Sequence, residues 1–160
     1  MDILREAREK LEEEAHSIEV ELRVKLPKEI SAAMSHGDLS ENAEYHAAKD
    51  RQSTLQARMG QIQKRLADLS RIDVSGIPAD RVGLGSEVTV ENLDTGETVS
   101  YTLVIPEVAE GKKNFISIAA PVGKALLNRK VGDAVTVNIP KGTYEFEVRK
   151  FITIFGKTFE

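Results

Sequence analysis

Two carboxylates, Asp38 and Glu41, stand three residues apart in the stretch Ser35-His36-Gly37-Asp38-Leu39-Ser40-Glu41-Asn42. At the start of a helix this spacing puts both acids on one side of the first turn. Two chemistries fit. One is a capping box, with Asp38 accepting from the backbone N–H of Glu41 and Glu41 reaching back. The other is half of a metal site. Mg²⁺ is often held by one or two carboxylates, with waters and phosphate oxygens completing the octahedron. Two acids alone make a poor solitary site, but they serve well if a partner supplies the other ligands. A capping carboxylate has spare lone pairs, so the readings are not exclusive.

Other chemistry is largely excluded. Cysteine is absent, which removes disulfides, zinc thiolates and cysteine nucleophiles. His16, His36 and His46 are too scattered for a zinc set, and no Ser-His-Asp pattern, GxGxxG or P-loop occurs. Gly83-Leu84-Gly85-Ser86 has no third glycine and precedes a strand pattern, so it reads as a turn. The 160 residues carry 22 Lys and Arg against 26 Asp and Glu, a net charge of −4, unlike a protein that grips bare nucleic acid. No apolar run approaches the ~20 residues of a membrane span, and the charged N-terminus lacks a signal-peptide core. The expectation is a soluble, cytoplasmic protein without membrane contact or a small-molecule substrate.

The elements that must position the acids come in two kinds. Residues 1–75 hold two glycines and one proline, and residues 76–160 hold the other nine and four. Long helices avoid both residues and turns need them. Two domains are therefore expected, 1–75 and 76–160, joined around Asp73–Pro78. Leu55, Met59, Ile62, Leu66 and Leu69 follow the 4-3-4-3 spacing of a heptad seam, which extends back to Gln52, Ala48 and Tyr45. A rougher seam runs Leu4, Leu11, Ala15, Ile18, Leu22, Leu26, Ile30, Ala33, with Pro27 expected to kink the helix or force a local adjustment. Gly37 suits the end of the first helix and Asp38 the N-cap of the second. The short connection makes the arms antiparallel, each roughly 30 residues and about 45 Å long.

The arms differ in charge. Residues 2–30 carry 6 Lys and Arg against 9 Asp and Glu; residues 49–71 carry 6 against 2. Either the flanks pair across the hairpin, or Lys49, Arg51 and Arg58 form a basic stripe for RNA or an acidic channel wall. Beyond residue 86 the pattern has period 2, as in Glu87–Glu91, Thr98–Leu103, Phe115–Ile118, Val135–Ile139 and Tyr144–Val148, with turns at Asp94-Thr95-Gly96 and Lys141-Gly142. A small antiparallel sheet is expected, with one helix near Val122–Asn128.

The tip, His36-Gly37-Asp38-Leu39-Ser40-Glu41-Asn42-Ala43-Glu44-Tyr45-His46-Ala47-Ala48-Lys49, closely resembles the signature of the bacterial Gre transcript-cleavage factors, the GreA branch in particular. Asn114–Leu127 resembles the family's second motif, and Val131-Gly132-Asp133 with Pro140–Val148 its third. The resemblance covers nearly the whole chain. It implies an α+β protein, an N-terminal antiparallel coiled coil followed by an FKBP-like domain. It also implies docking of that domain at the rim of the RNA polymerase secondary channel, with the coil inserted toward the active centre.

In that picture Asp38 and Glu41 help hold a Mg²⁺ shared with the polymerase, which itself cleaves the 3′ end of backtracked nascent RNA. No cofactor is bound stably. Gly37, Asn42 and Tyr45 match tip-shaping positions, and Ser117, Ala120 and Pro121 fall in the docking motif. Three positions depart from the family pattern. Ala120 stands where the second motif usually has serine, Ala7 where the family often has glycine, and Pro27 lies closer to the tip than the family's proline. Two alternatives remain: a secondary-channel binder that inhibits instead of stimulating cleavage, and a prolyl isomerase, which would want an aromatic-walled apolar pocket.

Overall fold

The computed structural model describes residues 2–37 and 42–160. Its contacts divide the chain into two units, Arg8–Ile72 and Asp73–Glu160, the latter joined by the residues up to Ala7. In the first unit one arm comprises α1 (Ile3–Val20), a π-helical turn (Glu21–Lys25) and α2 (Leu26–Met34); the other is α3 (Ala43–Ser70). The seam of α3 is as the heptad spacing predicts. Ala48, Leu55, Ile62 and Leu69 are buried, with Tyr45, Gln52, Met59 and Leu66 half-buried between them.

The first arm shows how an irregular seam is accommodated. The steps Ile18→Leu22→Leu26→Ile30 are all four residues, which is one residue more than a 3-4 alternation supplies. Pro27, moreover, has no N–H to offer the carbonyl four residues back. The π turn resolves both problems. The Leu26 N–H reaches the Glu21 carbonyl five residues back, so the surplus residue is absorbed in one wide turn. Pro27 follows in the first turn of α2, where a missing N–H costs little. The apolar face therefore stays inward, and Leu26 and Ala33 are as buried as Leu11 and Ile18.

Leu4 departs from the expected seam. With Ile3 and Ala7 it belongs to the second unit, where Ile3 and Leu4 lie beside Val74, Ile77, Leu84 and Ile154. The sheet of that unit comprises β1 (Glu87–Asn92), β2 (Thr98–Val104), β3 (Phe115–Ser117), β4 (Ala134–Ile139), β5 (Gly142–Ile152) and β6 (Thr158–Phe159). The order is β3-β2-β1-β5-β4, with β6 on β5.

The expected all-antiparallel sheet is corrected at one edge: β3 pairs with β2 in parallel. A parallel pair needs a crossover. It is supplied by α4 (Pro106–Ala109) and two positive-φ residues, Gly111 and Asn114, which return the chain to the β2 edge. Elsewhere the alternation holds, with Val88, Val90, Val135, Val137, Phe146 and Val148 buried. A bulge at Arg149 shifts the register, so Phe151 also points inward opposite Val88.

The helix α5 (Pro121–Leu126) closes over the sheet and inserts the fully buried Leu126. Its approach is set by Gly123. A Cβ there would sit 2.1 Å from the Ser117 carbonyl oxygen. That is far inside van der Waals contact with rigid backbone, so any larger residue must push α5 off β3. Gly123→Ala is expected to cost at least about 1–3 kcal/mol, the usual range for overpacking. Calorimetry should show a melting temperature lowered by roughly 4–8 °C per kcal/mol; an unchanged value would mean the approach relaxes freely.

Candidate functional site

The hairpin tip is built from its two helix ends. The helix α2 ends at Met34, and the Ser35, His36 and Gly37 amides donate to the carbonyls of its last turn. Gly37 has φ +106°, a conformation that side chains other than glycine's rarely tolerate, so the expectation for this residue is met. The expected N-cap is corrected. Helix α3 begins at Ala43, and its cap is Asn42, whose Oδ1 accepts from the Tyr45 N–H at 3.0 Å. Asp38 and Glu41 lie outside the described residues.

The Asn42 side chain makes a second bond. Its Nδ2 donates to the Ala33 carbonyl in the last turn of α2, at 2.5 Å. The partners fix the amide orientation, because a backbone N–H can only donate and a carbonyl only accept. Around this bridge Tyr45 is half-buried and meets His46 edge-on, with ring centroids 5.6 Å apart. His36 Nε2 stands 3.8 Å from Glu44 Oε2, both side chains well exposed.

Along the flanks, pairing across the hairpin occupies two of the three basic candidates. Arg51 grips Glu21 in a fork, Nε to Oε1 at 3.0 Å and Nη2 to Oε2 at 3.1 Å. Arg58 grips Glu14 likewise, at 2.6 and 2.8 Å. The pairs are seven residues apart on both arms and their numbers add to the same total, as an antiparallel register requires. Lys49 is exposed and donates to Gln52 on its own helix at 2.9 Å. Glu14 and Glu21 were not singled out from the sequence, although their heptad spacing opposite Arg51 and Arg58 carried the signal. Hydrogen bonds from Arg58 and Arg51 hold the Glu14 and Glu21 carboxyls below the usual range, and Glu21 raises Arg51. Among the described residues no three His, Cys, Asp or Glu side chains gather as a metal site.

Ser117, Ala120 and Pro121 lie together in one turn. The Ala120 N–H donates to the Ser117 carbonyl at 3.0 Å, and Ser117 Oγ accepts from the Ala119 N–H at 3.0 Å. Ala120 is the N-cap residue of α5 and has no side-chain oxygen to cap it; Pro121 occupies the first turn. Gly123, which seats this turn, went unremarked in the sequence because nothing local marks a helical glycine as a contact. Val99, Tyr101, Val122, Ile139, Tyr144 and Phe146 line a groove of about 350 Å³ beside α5. Asn92, Glu97 and Thr98 also line it, so its wall is mixed and not purely apolar.

Together these features define a class of protein: a helical hairpin with an acidic tip sequence, followed by a small mixed-sheet unit. Residues 2–70 match the family model for the N-terminal part of transcription elongation factors, and residues 77–153 that for the GreA/GreB C-terminal part. The chain belongs to the GreA/GreB transcription elongation factor family. The transcription elongation factor GreA of Chlorobaculum tepidum is 42% identical over 147 residues, covering 91% of this chain and 92% of that protein. That of Thermodesulfovibrio yellowstonii is 43% identical over 143 residues, covering 89% and 90%. The crystal structure of the GreA factor homolog 1 (Gfh1) protein of Thermus thermophilus is 30% identical over 90% of this chain and 93% of its own, at a TM-score of 0.41. No helix among the described residues is long and apolar enough to cross a membrane.

Two outcomes follow. Because Glu14 and Glu21 are held below their ordinary value, their pairs contribute stability above the ordinary glutamate pKa and lose it as pH falls through the lowered values. The helical melting temperature should stay level from neutral pH to about 5, then fall. Replacing Arg51 and Arg58 with Gln should flatten that fall only slightly, since solvent screens exposed pairs. An identical fall in the double variant would remove these pairs as its cause. Separately, Ala120→Ser should supply the missing N-cap and raise stability by about 0.5–2 kcal/mol, read as a higher midpoint in denaturant.

Proposed function

We propose that this transcription elongation factor, which acts with RNA polymerase, docks at the rim of the secondary channel and delivers its hairpin tip to the active centre. There it stimulates the polymerase's own cleavage of the 3′ end of backtracked RNA. The observation that carries the reading is the tip. Gly37 and Asn42 bracket a four-residue segment containing Asp38 and Glu41, and each bracket is tied into its own helix end. Asp38 and Glu41, between these brackets in the sequence, are the carboxylates offered to a site that lacks them. Ser117, Ala120 and Pro121, in the turn against α5, are the proposed docking contacts, because their small side chains let a partner approach a turn already held by its own hydrogen bonds. Lys49 is the proposed contact to RNA or the channel wall. Arg51 and Arg58 could act there only by giving up Glu21 and Glu14.

The chain is a helper and the polymerase the nuclease. Asp38 and Glu41 are proposed to share a Mg²⁺ with the polymerase's ligands, an ion that in two-metal chemistry activates the attacking water or steadies the leaving oxygen. The contribution of this chain is to place negative oxygens where that ion is loosely held. No other catalytic group of its own is needed.

Stalled, backtracked complexes test the reading. Addition of the protein should shorten the RNA from its 3′ end. Asp38→Asn should lower that rate on the order of 100-fold, the scale of losing one electrostatic catalytic contact, while still competing with the parent chain for polymerase. Glu41→Gln should behave similarly and be partly relieved by added Mg²⁺. The α3 cap is the Asn42 side chain, which both changes leave in place. Wild-type cleavage by Asp38→Asn would remove the metal role. Binding that blocks RNA synthesis without shortening RNA would favour the inhibitory alternative.

A further inference from the structure

We propose that Asn42 is the positioning residue of the tip, acting as a clasp that sets how the chain leaves α2 and enters α3. One amide group serves both helices. Its Oδ1 caps α3 through the Tyr45 N–H, and its Nδ2 binds the Ala33 carbonyl nine positions earlier. The Asn42 carbonyl also accepts from the His46 N–H at 3.1 Å, so residue 42 is fixed by both its backbone and its side chain.

The bond to Ala33 is partly shielded, and Ala33 itself is buried in the seam, so this carbonyl is a firm anchor. A second cross-arm polar contact among the described residues near the tip, His36 with Glu44, is long and exposed and supplies little constraint. With the clasp made, Ala33 in the last turn of α2 and Asn42 at the start of α3 are held together. With it broken, the cap survives but the two helix ends can splay.

Only a side chain with an acceptor and a donor at this reach does both jobs. Serine keeps the capping oxygen but is too short to reach Ala33. Aspartate caps but sets a second acceptor against the Ala33 carbonyl. Alanine loses both bonds.

The proposal rests on the acid-tip reading above, so Asn42→Ser is tested beside Asp38→Asn in the full chain. Two measurements are made on each: cleavage rate against factor concentration on backtracked complexes, and amide hydrogen exchange of the free factor. For Asn42→Ser, exchange at Tyr45 should stay slow because the cap remains. Exchange at Ser35, His36 and Gly37 should quicken as the end of α2 loosens. The saturated cleavage rate should fall on the order of 10- to 100-fold, the scale of a small misplacement of reacting groups. The concentration for half-saturation should not move, which separates positioning from a docking or folding defect. Asn42→Asp should show the same split although its cap is as good.

A wild-type saturated rate in Asn42→Ser, whatever its exchange, overturns the proposal. So does a lowered rate with unaltered exchange at residues 35–37. If Asp38→Asn also cleaves as wild type, the acid reading fails on its own account. A defective Asp38→Asn beside an unaffected Asn42→Ser fails the clasp alone.

Discussion

The hairpin unit depends on the register of a single apolar seam. Two helices have one interface between them, so a stripe that drifts off the facing side has nothing else to bury against. An extra residue in an α-helix turns everything beyond it by about 100°. The first arm contains such a residue between Leu22 and Leu26, and left in α-helical form it would turn Leu26, Ile30 and Ala33 away from α3. The π turn at Glu21–Lys25 restores the phase, and the burial of Leu26 and Ala33 is the result. The Ala33 carbonyl meets Asn42 only because that phase is kept. The tip geometry is thus a consequence of a correction made about two turns earlier.

The same register decides where charge is spent. The second arm is basic as a sequence, and a basic stripe suggests an outside partner. The forks of Arg51 on Glu21 and Arg58 on Glu14 turn two of its cations inward to the opposite arm. Each pair is exposed enough that its stabilisation is small. Their seven-residue spacing still matters, because a slipped register would set each guanidinium beside the wrong residue. These forks select the register more than they deepen the well.

The sequence made the periodic elements legible and the special contacts not. The seam of α3, the glycine at the end of α2 and most strands were readable, because burial on a helix or strand face repeats at 3.6 or 2 residues. Three things were not. The π turn was visible only as an irregular step and a proline, which specify a strain and not its solution. The parallel β2–β3 edge depends on a crossover whose turning residues, Gly111 and Asn114, look like any loop. The need for glycine at 123 comes from a carbonyl six residues back that touches it across the fold. The cap of α3 was misassigned for a local reason: Asp38, Ser40 and Asn42 are all good capping types, and only the geometry selects the last.

That selection has an electrostatic logic. A helix N-terminus carries a partial positive charge and favours an acid as its cap. An aspartate at position 42 would satisfy α3 as well as the asparagine does. It would also place another negative charge within four residues of Asp38 and next to Glu41. Nearby like charges raise carboxyl pKa values and weaken the ionised form that a cation needs. It would further turn the clasp on Ala33 into a repulsion between two acceptors. A neutral amide caps the helix, ties the arms and adds no charge. In a tip proposed to lend two carboxylates to another protein's metal, asparagine is the residue that fixes the geometry while leaving the charge to Asp38 and Glu41.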